Sequence, residues 1–438
     1  MSGVRPLPIH PRCFVATLFD ELSWRGFVHQ ATHDNLKDLL ERESFTLYAG
    51  FDPTADSLHI GSLLPIMGLV HFQRAGHRPI ALVGGGTGMI GDPSGKSQER
   101  QLLDEDTIAH NIAGVERQLR RFLRFEGDAP AILVNNADWL GQLRLVDFLR
   151  DIGKHFSVNA MMAKDSVRSR LEDRDHGISY TEFSYQLLQA YDFLQLFDTH
   201  GCRLQIGGSD QWGNITAGMD LTRRLREGAT TFGLTFPLVT KADGSKFGKT
   251  ESGNIWLDAG RTSPYRFFQF WLNQADADTP RYLRFFTLLP REEIESLEQE
   301  LASAPEKRMA QKRLAGEVTR MVHGDDALLG AQAASAAMFG GDLAGLDDAT
   351  LEDIFGEMPS SNLPRAVLSE GRPLLDVLVE CGVFPSKGEA RKMIQNGGLY
   401  LNNARAELDT RLGEAALVSP TIAVVRKGKK NYHLLKFA

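Results

Sequence analysis

The stretch from Leu47 to Ser62 constrains the fold of this chain more than any other, and it reads Leu-Tyr-Ala-Gly-Phe-Asp-Pro-Thr-Ala-Asp-Ser-Leu-His-Ile-Gly-Ser. Its apolar and aromatic beginning is typical of a buried strand. Asp52-Pro53 ends that strand, because a proline ring fixes φ and the residue before it avoids the helical region. Asp56 and Ser57 are candidate N-caps for the apolar helix that follows. The stretch therefore predicts a strand, a turn and a helix whose first backbone N–H groups suit a phosphate.

Further strands and helices alternate along the first half of the chain. Apolar runs predict strands at 79–83, 131–134, 203–206 and 237–240, with helical patterns at 107–125 and 179–197. A helical pattern also covers residues 1–43. Alternating strands and helices are typical of a parallel sheet with crossover helices. The expected fold class is α/β, with a Rossmann-like parallel-sheet domain that binds ligands at the carboxyl ends of its strands.

A glycine-rich loop follows the strand at 79–83 and reads Gly-Gly-Gly-Thr-Gly-Met-Ile-Gly-Asp-Pro-Ser-Gly-Lys. Gly86, Gly88 and Gly91 fit the dinucleotide-binding pattern G-x-G-x-x-G, so an oxidoreductase or another nucleotide enzyme is one alternative. That pattern requires a helix to begin directly, whereas Pro93 breaks one. The end of the loop approaches a P-loop pattern, but its first glycine is one residue too close.

The helix predicted at 179–197 carries a polar face. Ser179 and Glu182 form a capping-box pattern, in which the hydroxyl and the carboxylate each accept a backbone N–H at the helix start. Tyr185, Gln189 and Asp192 follow at i, i+4 and i+7, which places them on one face. This face is either the solvent side of the helix or part of a site, and tyrosine disfavours the solvent side because it is amphipathic and tends to be partly buried.

Two later loops and the C-terminal region complete the pattern. Glycines at 207–208 precede a polar helix start, an arrangement that suits a ribose or an amino acid, and 241–250 is a turn with a basic loop. From 263 to about 337 the pattern is helical. Residues 372–438 contain 11 Lys and Arg against 6 Asp and Glu, a net charge of +5 in a chain of net charge −7. This asymmetry predicts an RNA-contacting region on an acidic body.

Length and composition set outer bounds. The 438 residues leave room for two or three domains. No apolar run reaches the length of a membrane span, and charged residues interrupt the N-terminal apolar segment, so neither a membrane segment nor a signal peptide is expected. Cys13, Cys202 and Cys381 lack metal-ligand or disulfide spacing, which favours reduced thiols and a cytoplasmic location.

Four of these motifs together resemble those of one enzyme family. The stretch around His59 resembles the His-Ile-Gly-His signature of class I aminoacyl-tRNA synthetases, with Ser62 in place of the second histidine. The loop from Lys246 to Thr250 resembles their Lys-Met-Ser-Lys-Ser signature. Gly-Asp-Pro-Ser at 91–94 and the polar face of the helix at 179–197 lie between them in the family's order. Over nearly its full length the chain is similar to bacterial tyrosyl-tRNA synthetases, including their small C-terminal RNA-binding domain.

The resemblance implies a domain organisation and a reaction. Residues 1–245 are expected to form the catalytic domain, 246–340 the signature loop and an α-helical anticodon-side domain, 341–371 a linker, and 372–438 a small α+β RNA-binding domain. The chain would be an ATP-dependent tyrosine–tRNA ligase that forms tyrosyl-adenylate and diphosphate, then transfers tyrosine to the 3′-terminal adenosine of tRNA(Tyr). Mg²⁺ is implied with ATP, no tightly bound cofactor or protein metal site is expected, and a homodimer is implied.

The resemblance also implies roles for individual residues. The expected catalytic residues are Thr54, His59, Lys96, Arg100, Lys246 and Lys249. Tyrosine is expected to contact Tyr48, Asp92, Tyr185, Gln189, Asp192 and Gln211. ATP is expected to contact Gly50, Asp52, His59, Gly61, Ser62, Gly208, Asp210 and Lys249. The expected tRNA contacts are Arg391, Lys392, Lys427, Lys429 and Lys430.

Two further alternatives share these signatures. A tryptophan-specific ligase has the first and last of them, but Tyr48, the polar helix face and the RNA-binding C-terminal region favour tyrosine. A non-catalytic RNA-binding protein with the same fold is suggested by Ser62, since a hydroxyl cannot carry the charge of an imidazolium. The intact loop from Lys246 to Lys249 weighs against that alternative.

Overall fold

The computed structural model describes residues 17–94, 103–172, 177–245, 247–250, 253–338, 340–356, 358–428 and 431–438. They form two compact units. The first extends to Gly248 and includes Arg284–Phe286, and the second contains Lys249–Leu283 and Thr287–Ala438. Among the helices of these ranges, none combines the length and the apolar character needed to span a bilayer.

The first unit is a six-stranded sheet with helices around it. Its strands are β1 (Gln30–Ala31), β2 (Thr46–Phe51), β3 (Arg78–Val83), β4 (Ile132–Asn135), β5 (Cys202–Gly208) and β6 (Phe232–Phe236). Its helices are α1 (Leu18–Arg25), α2 (Leu36–Arg42), α3 (Leu63–Arg74), α4 (Gly85–Gly88), α5 (Glu105–Phe122), α6 (Ala137–Leu140), α7 (Leu145–Asp151), α8 (Val158–Met162), α9 (Asp165–Glu172), α10 (Tyr180–His200) and α11 (Trp212–Leu225). The predicted α/β class with a parallel sheet is confirmed.

The order of the strands creates the position of the site. The sheet runs β1-β6-β5-β2-β3-β4, and all neighbours are parallel except β1 and β6. From β2 the chain continues outward through β3 and β4, and it then returns to β5 on the other side of β2. Connections that leave in opposite directions open a crevice at the carboxyl ends of the two central strands. The crevice therefore lies above β2 and β5.

Two local predictions for this unit are wrong. Within the helical pattern of 1–43, the described part contains α1, β1 and α2, because Gly26 at φ 84° ends α1 and β1 then pairs with the edge strand β6. The strand predicted at 237–240 lies earlier, at Phe232–Phe236, since Pro237 has no N–H for a sheet ladder.

The second unit combines a helical part with a five-stranded sheet. Its strands are β7 (Lys249–Thr250), β8 (Gly253–Asn254), β9 (Ser360–Leu363), β10 (Leu399–Leu401), β11 (Ala404–Arg405), β12 (Ile422–Lys427) and β13 (Asn431–Phe437). Its helices are α12 (Pro264–Leu272), α13 (Thr279–Phe286, whose end belongs to the first unit), α14 (Arg291–Ser303), α15 (Met309–His323), α16 (Asp325–Ala337), α17 (Asp348–Phe355), α18 (Ala366–Ser369), α19 (Leu374–Glu380) and α20 (Lys387–Gln395). The larger sheet has the order β11-β10-β12-β13-β9.

The segment 341–371, expected to be a linker, contains folded elements. Helix α17 buries Leu351 and Phe355 completely. Strand β9 pairs in parallel with β13, from Ser360 opposite Leu434 to Leu363 opposite Phe437. Both elements take their stability from residues far along the chain, so the Gly-, Ala- and Asp-rich composition gives no local signal for them.

Candidate active site

A cavity of about 570 Å³ opens at the carboxyl ends of β2 and β5. Most of the residues expected to bind tyrosine or ATP line it: Tyr48, Gly50, Asp52, Thr54, His59, Gly61, Ser62, Asp92, Tyr185, Gln189, Asp192, Gly208, Asp210 and Gln211. Lys96, Arg100 and Lys246 lie outside the described residues. Lys249 begins β7, but its side chain is not described.

His59 sits at the start of the turn that leads into α3. Its Nδ1 accepts the backbone N–H of Gly61 at 3.0 Å, so the N-cap is His59 and not Asp56 or Ser57 as predicted. The Ser57 hydroxyl instead accepts the Nε2 amide of Gln118 at 2.9 Å. Because Nδ1 is the acceptor, the proton of the neutral imidazole lies on Nε2. His59 therefore brings a donor nitrogen to the cavity.

Gly61 is required for that ring position. A Cβ on Gly61 would lie 2.7 Å from Cε1 and 2.9 Å from Nδ1 of His59. Gly61 is an expected ATP contact, and the structure shows a separate reason for glycine at this position. Any side chain here would push the imidazole away from its cap.

Asp192 forms the floor of the cavity. It is 2% exposed, and its two carboxylate oxygens accept Nε1 of Trp139 at 2.8 Å and Nδ2 of Asn136 at 2.9 Å. Burial raises the pKa of Asp192 from 3.8 to about 7, against the lowering effect of those two donors. The carboxyl is therefore poised between its charged and neutral forms near neutral pH.

Tyr48 lies beside Asp192 with an unsatisfied hydroxyl. Its side chain is 1% exposed, and its Oη has no hydrogen-bond partner among the described residues. Burial, followed by the charge of Asp192, raises the pKa of Tyr48 well above 10, so the hydroxyl keeps its proton. A buried hydroxyl without a partner costs about 1–3 kcal/mol. A ligand oxygen that accepts this O–H would remove that cost.

A chain of hydrogen bonds connects this floor with the end of β2. Asn136 Nδ2 also donates to Thr87 Oγ1 at 2.9 Å, and that hydroxyl donates to Asp52 Oδ1 at 2.9 Å. The second oxygen of Asp52 accepts the Tyr185 hydroxyl at 3.1 Å. Gly84 borders the chain closely, since a Cβ there would collide with both Asp52 and Thr87. Asp52, expected to contact ATP, thus also orients Tyr185.

A second polar group lies at the end of β5. Gln211 donates to Asp92 Oδ2 at 2.8 Å and accepts Nε2 of Gln189 at 3.2 Å, while Gln189 Oε1 has no partner among the described residues. Burial and then the charge of Asp92 raise the pKa of Asp210. The carboxyl groups of Asp92 and Asp210, with Asp52 beside Tyr185, favour a cationic group such as an ammonium on this side of the cavity.

The polar face of α10 has the predicted geometry, but its cap differs from the prediction. Ser179 Oγ accepts the Glu182 N–H at 3.2 Å, as in a capping box. The Glu182 carboxylate does not return to the helix start. It is buried and pairs with Arg170 of α9, at 2.8 Å. A buried cation provides a stronger partner than the backbone N–H.

The glycine-rich loop does not present a dinucleotide site. The N–H groups of Gly86 and Thr87 donate to Asn136 Oδ1, at 2.8 and 3.4 Å. These donors hold Asn136 and are not directed at a pyrophosphate, so the oxidoreductase alternative is wrong.

The described part of the signature loop borders the cavity. Phe247 lines it and stacks on Phe286, with centroids 5.4 Å apart and planes at 7°. Gly248 adopts φ 85°, and a Cβ there would lie 2.9 Å from Ile60. Phe247 and Gly248 thus lie beside the turn that carries His59.

The residues expected to contact tRNA have different surroundings. Arg391 and Lys392 are exposed on α20. Lys427 is partly buried, donates to the Val383 carbonyl at 3.3 Å and lies 5.0 Å from the Phe384 ring centroid. Lys429 and Lys430 lie outside the described residues.

The sequence reasoning missed Asn136, Trp139 and Thr87. Asn136 is fully buried and lies 56 positions from the carboxylate to which it donates. One signal was present: Asn136 comes two residues after the strand predicted at 131–134, at the edge where ligands bind in such sheets.

Comparison with known proteins agrees with this architecture. The family described as "tRNA synthetases class I (W and Y)" matches residues 40–340, and "Tyrosine--tRNA ligase SYY-like C-terminal domain" matches 350–435. The chain is 58% identical over 425 residues to the tyrosine–tRNA ligase of Roseiflexus castenholzii, covering 96% of this chain and 100% of that protein. It is 57% identical over 426 residues to that of Geobacillus stearothermophilus, with the same coverage of 96% and 100%.

A solved structure gives the same result. A C-terminally truncated mitochondrial tyrosyl-tRNA synthetase of Aspergillus nidulans superposes with a TM-score of 0.65 at 32% identity, covering 74% of this chain and 94% of that one. The family match extends over most of the chain, and the relatives are aligned over their full length. The chain belongs to the family of class I tRNA synthetases (W and Y).

Proposed function

We propose that this chain is a tyrosine–tRNA ligase that first activates L-tyrosine with ATP and then esterifies tRNA(Tyr). The observation that carries the amino-acid choice is the pair at the cavity floor. Asp192 offers a buried carboxylate that accepts hydrogen bonds, and Tyr48 offers a buried hydroxyl that has no partner in the part of the chain that the structure describes. A phenol group donates one hydrogen bond and accepts another, so it satisfies both.

Other aromatic amino acids fit this floor less well. An indole N–H donates but has no acceptor for the Tyr48 hydroxyl. A phenyl ring neither donates nor accepts, and it would leave Asp192 desolvated without compensation. The closely related proteins named above are tyrosine–tRNA ligases. Tyrosine is therefore preferred to tryptophan as the substrate.

The other end of the cavity would hold the reacting groups. Asp92, the Tyr185 hydroxyl and Gln189 Oε1 provide acceptors for the α-ammonium, with Gln211 beside Asp92. The carboxylate would then attack the α-phosphorus of ATP at the turn that carries Thr54 and His59, and pyrophosphate would leave. Nε2–H of His59 would bind a phosphate oxygen whose charge grows in the transition state.

No protein nucleophile is needed, so this chain acts by positioning and by stabilising charge. Lys96, Arg100, Lys246 and Lys249 stay predicted partners of the leaving pyrophosphate. Within the described ranges no cluster of three or more His, Cys, Asp or Glu forms a metal site, and we assign Mg²⁺ to the ATP substrate. In the second step the terminal ribose hydroxyl of tRNA attacks the tyrosyl carbonyl, and AMP leaves. The tRNA substrate and the free thiols of Cys202 and Cys381 suit a cytoplasmic location.

ATP–pyrophosphate exchange tests the proposal, with tyrosine, phenylalanine or tryptophan as the only amino acid and no tRNA present. We expect exchange with tyrosine alone. Exchange with tryptophan would overturn the specificity and keep the mechanism. A lack of exchange with all three amino acids would favour a non-catalytic RNA-binding protein.

Replacing Asn136 with alanine should shift the pH profile of tyrosine activation. The donation from Asn136 lowers the pKa of Asp192, so its loss raises that pKa above about 7. If the carboxylate form binds the phenol, activity falls as pH drops through this pKa. We expect the acid limb of kcat/KM for tyrosine to move to higher pH, with a loss of about tenfold at pH 8.

The matched control is Asn111→Ala. Asn111 is also buried and donates to the Pro53 carbonyl at 3.0 Å, away from Asp192. The control should leave the pH midpoint in place. An equal shift in both variants would contradict the assigned role of Asn136.

We infer that α20 contacts tRNA through Arg391 and Lys392. Replacing both with glutamine should raise KM for tRNA about tenfold and weaken its salt dependence, since each phosphate contact releases counterions. ATP–pyrophosphate exchange should not change. Lys436→Gln is the control, because Lys436 lies in strand β13 of the same unit but pairs with Glu352 at 2.8 Å. Charging that is unchanged in the double variant would remove these contacts from the proposal.

We infer a homodimer through the first unit. Helix α7 exposes Leu145, Val146 and Leu149, with fractions of 71%, 74% and 43%, and α8 exposes the apolar side chains of Val158 and Met162. Val146→Asp should convert a dimer into a monomer in sedimentation equilibrium. Leu329→Asp, at an exposed position of α16 in the second unit, should leave the mass unchanged. A monomeric wild-type protein would contradict the inference.

A further inference from the structure

The five-stranded sheet of the second unit has two covered faces. The sheet with α18–α20, residues 360–438, is called the C-terminal module here. One face packs on the helices of the module itself. The other face packs on α16 and α17, in a cluster that includes Ala334, Leu351 and Phe355 from the helices and Val424 and Leu434 from the sheet. The module thus shares a core with the preceding helices.

Hydrogen bonds at the edge of this core connect the module to the end of α16. The hairpin tip between β10 and β11 consists of Asn402 and Asn403, at φ 50° and 61°, which is typical of a type I′ turn. Asn403 Nδ2 donates to the carbonyl of Ala337, the last residue of α16, at 3.1 Å and to that of Gly341, in the segment after the helix, at 2.8 Å. The last carbonyls of a helix lack intrahelical partners. Asn403 therefore caps a helix that lies outside the module.

Arg426 fixes the orientation of this amide. Its Nε donates to Asn403 Oδ1 at 2.9 Å, and since arginine only donates, the other amide atom must be the NH₂ that faces α16. The guanidinium also lies 3.8 Å from the Tyr400 ring centroid and donates to the Gly428 carbonyl. A third group, the Tyr432 hydroxyl, donates to the Met338 carbonyl at 3.0 Å.

We propose that Asn403 and Arg426 are positioning residues for tRNA charging. They hold the C-terminal module in one orientation on α16, so that tRNA contacts the module and α16 as one surface. This rests on the proposed RNA contact of the module. A module held in place loses less orientational freedom on binding than a tethered one. If only a fraction of molecules has the module docked, the apparent affinity falls by that fraction.

Asn403→Asp is the decisive variant in the full-length chain. It keeps the size of the side chain, its tolerance of positive φ and its acceptor for Arg426. It cannot donate to the two carbonyls, and it places a negative charge at the negative end of α16. Asn402→Asp is the matched control, because Asn402 donates to Ala416 and accepts Val424 N, both inside the module.

Two measurements distinguish a change in the position of the module on α16 from a change in the stability of the module. In hydrogen exchange of the free protein, Asn403→Asp should raise exchange at the end of α16 and in α17, while Asn402→Asp should raise it within β10 and β12. In charging assays, Asn403→Asp should raise KM for tRNA on the order of tenfold, with kcat nearly unchanged and ATP–pyrophosphate exchange as in the wild type. Tyr432→Phe, which removes only the hydroxyl, should act in the same direction to a smaller extent.

The proposal is overturned by any of three results: unchanged exchange at the end of α16 in Asn403→Asp, unchanged KM for tRNA, or equal effects of both aspartate variants. The Arg391→Gln, Lys392→Gln double variant distinguishes failure of the proposed RNA contact from failure of the proposed positioning role. If it charges tRNA normally, the RNA contact fails, whereas the exchange measurement, made without RNA, still decides whether Asn403 holds the module.

Discussion

Replacing Asp192 with alanine is expected to lower kcat/KM for tyrosine by about 10³-fold in ATP–pyrophosphate exchange. The variant removes the acceptor of three donors: the substrate phenol, Trp139 Nε1 and one N–H of Asn136 Nδ2, whose other hydrogen bond, to Thr87, remains. Each unpaired group costs about 1–3 kcal/mol, and about 4 kcal/mol corresponds to a factor of 10³. The kcat/KM for phenylalanine should change differently, because a phenyl ring gains no hydrogen bond from Asp192 and must desolvate the Asp192 carboxyl.

The test of this prediction is the ratio between the two substrates. We expect the preference for tyrosine over phenylalanine to fall to about tenfold. Tyrosyl-tRNA synthetases as a family are the known case of strong discrimination against phenylalanine, about 10⁵-fold. Asp198→Ala is the control on the same helix, since Asp198 pairs with Arg226 at 2.5 Å. A preference that survives in Asp192→Ala would refute the phenol site.

The parts of the fold that sequence could predict are those with local or periodic signals. The strand predicted at 79–83 is β3, and the polar face of α10 follows from its spacing of four and three residues. Apolar runs define buried parallel strands because both faces of such a sheet are covered. The carboxyl-end position of the site then follows from topology.

The parts that sequence could not predict depend on distant partners. Strand β1 has two residues and exists through its pairing with β6. Ser57 is a residue type that often caps helices, but its hydroxyl accepts a hydrogen bond from Gln118, 61 positions away. The His59 side chain accepts the capping hydrogen bond from the Gly61 N–H instead. The partners of Asp192 are 53 and 56 positions away in the sequence. No local pattern encodes these pairs.

The His59 turn provides the second large prediction, because its two ring nitrogens have separate tasks. In His59→Asn, the amide oxygen can take the place of Nδ1 and keep the Gly61 N–H capped, but nothing reaches the position of Nε2. We expect adenylate formation to slow by about 10²-fold, the usual loss for one donor to a developing oxyanion. Tyrosine affinity and thermal stability should stay near wild type.

His59→Gln reverses the pattern. Its amide nitrogen can approach the position of Nε2, while the cap is lost, at a cost of about 1 kcal/mol. This variant should keep more of the rate and lose more stability than His59→Asn. Single-turnover adenylate formation, tyrosine binding and thermal unfolding measure the three quantities, with the exposed His110→Asn as control. If both His59 variants lost rate and stability in the same proportion, a single structural role of His59 would explain both losses. Opposite orders of rate and stability would mean that a single histidine builds the turn with one nitrogen and binds the reacting phosphate with the other.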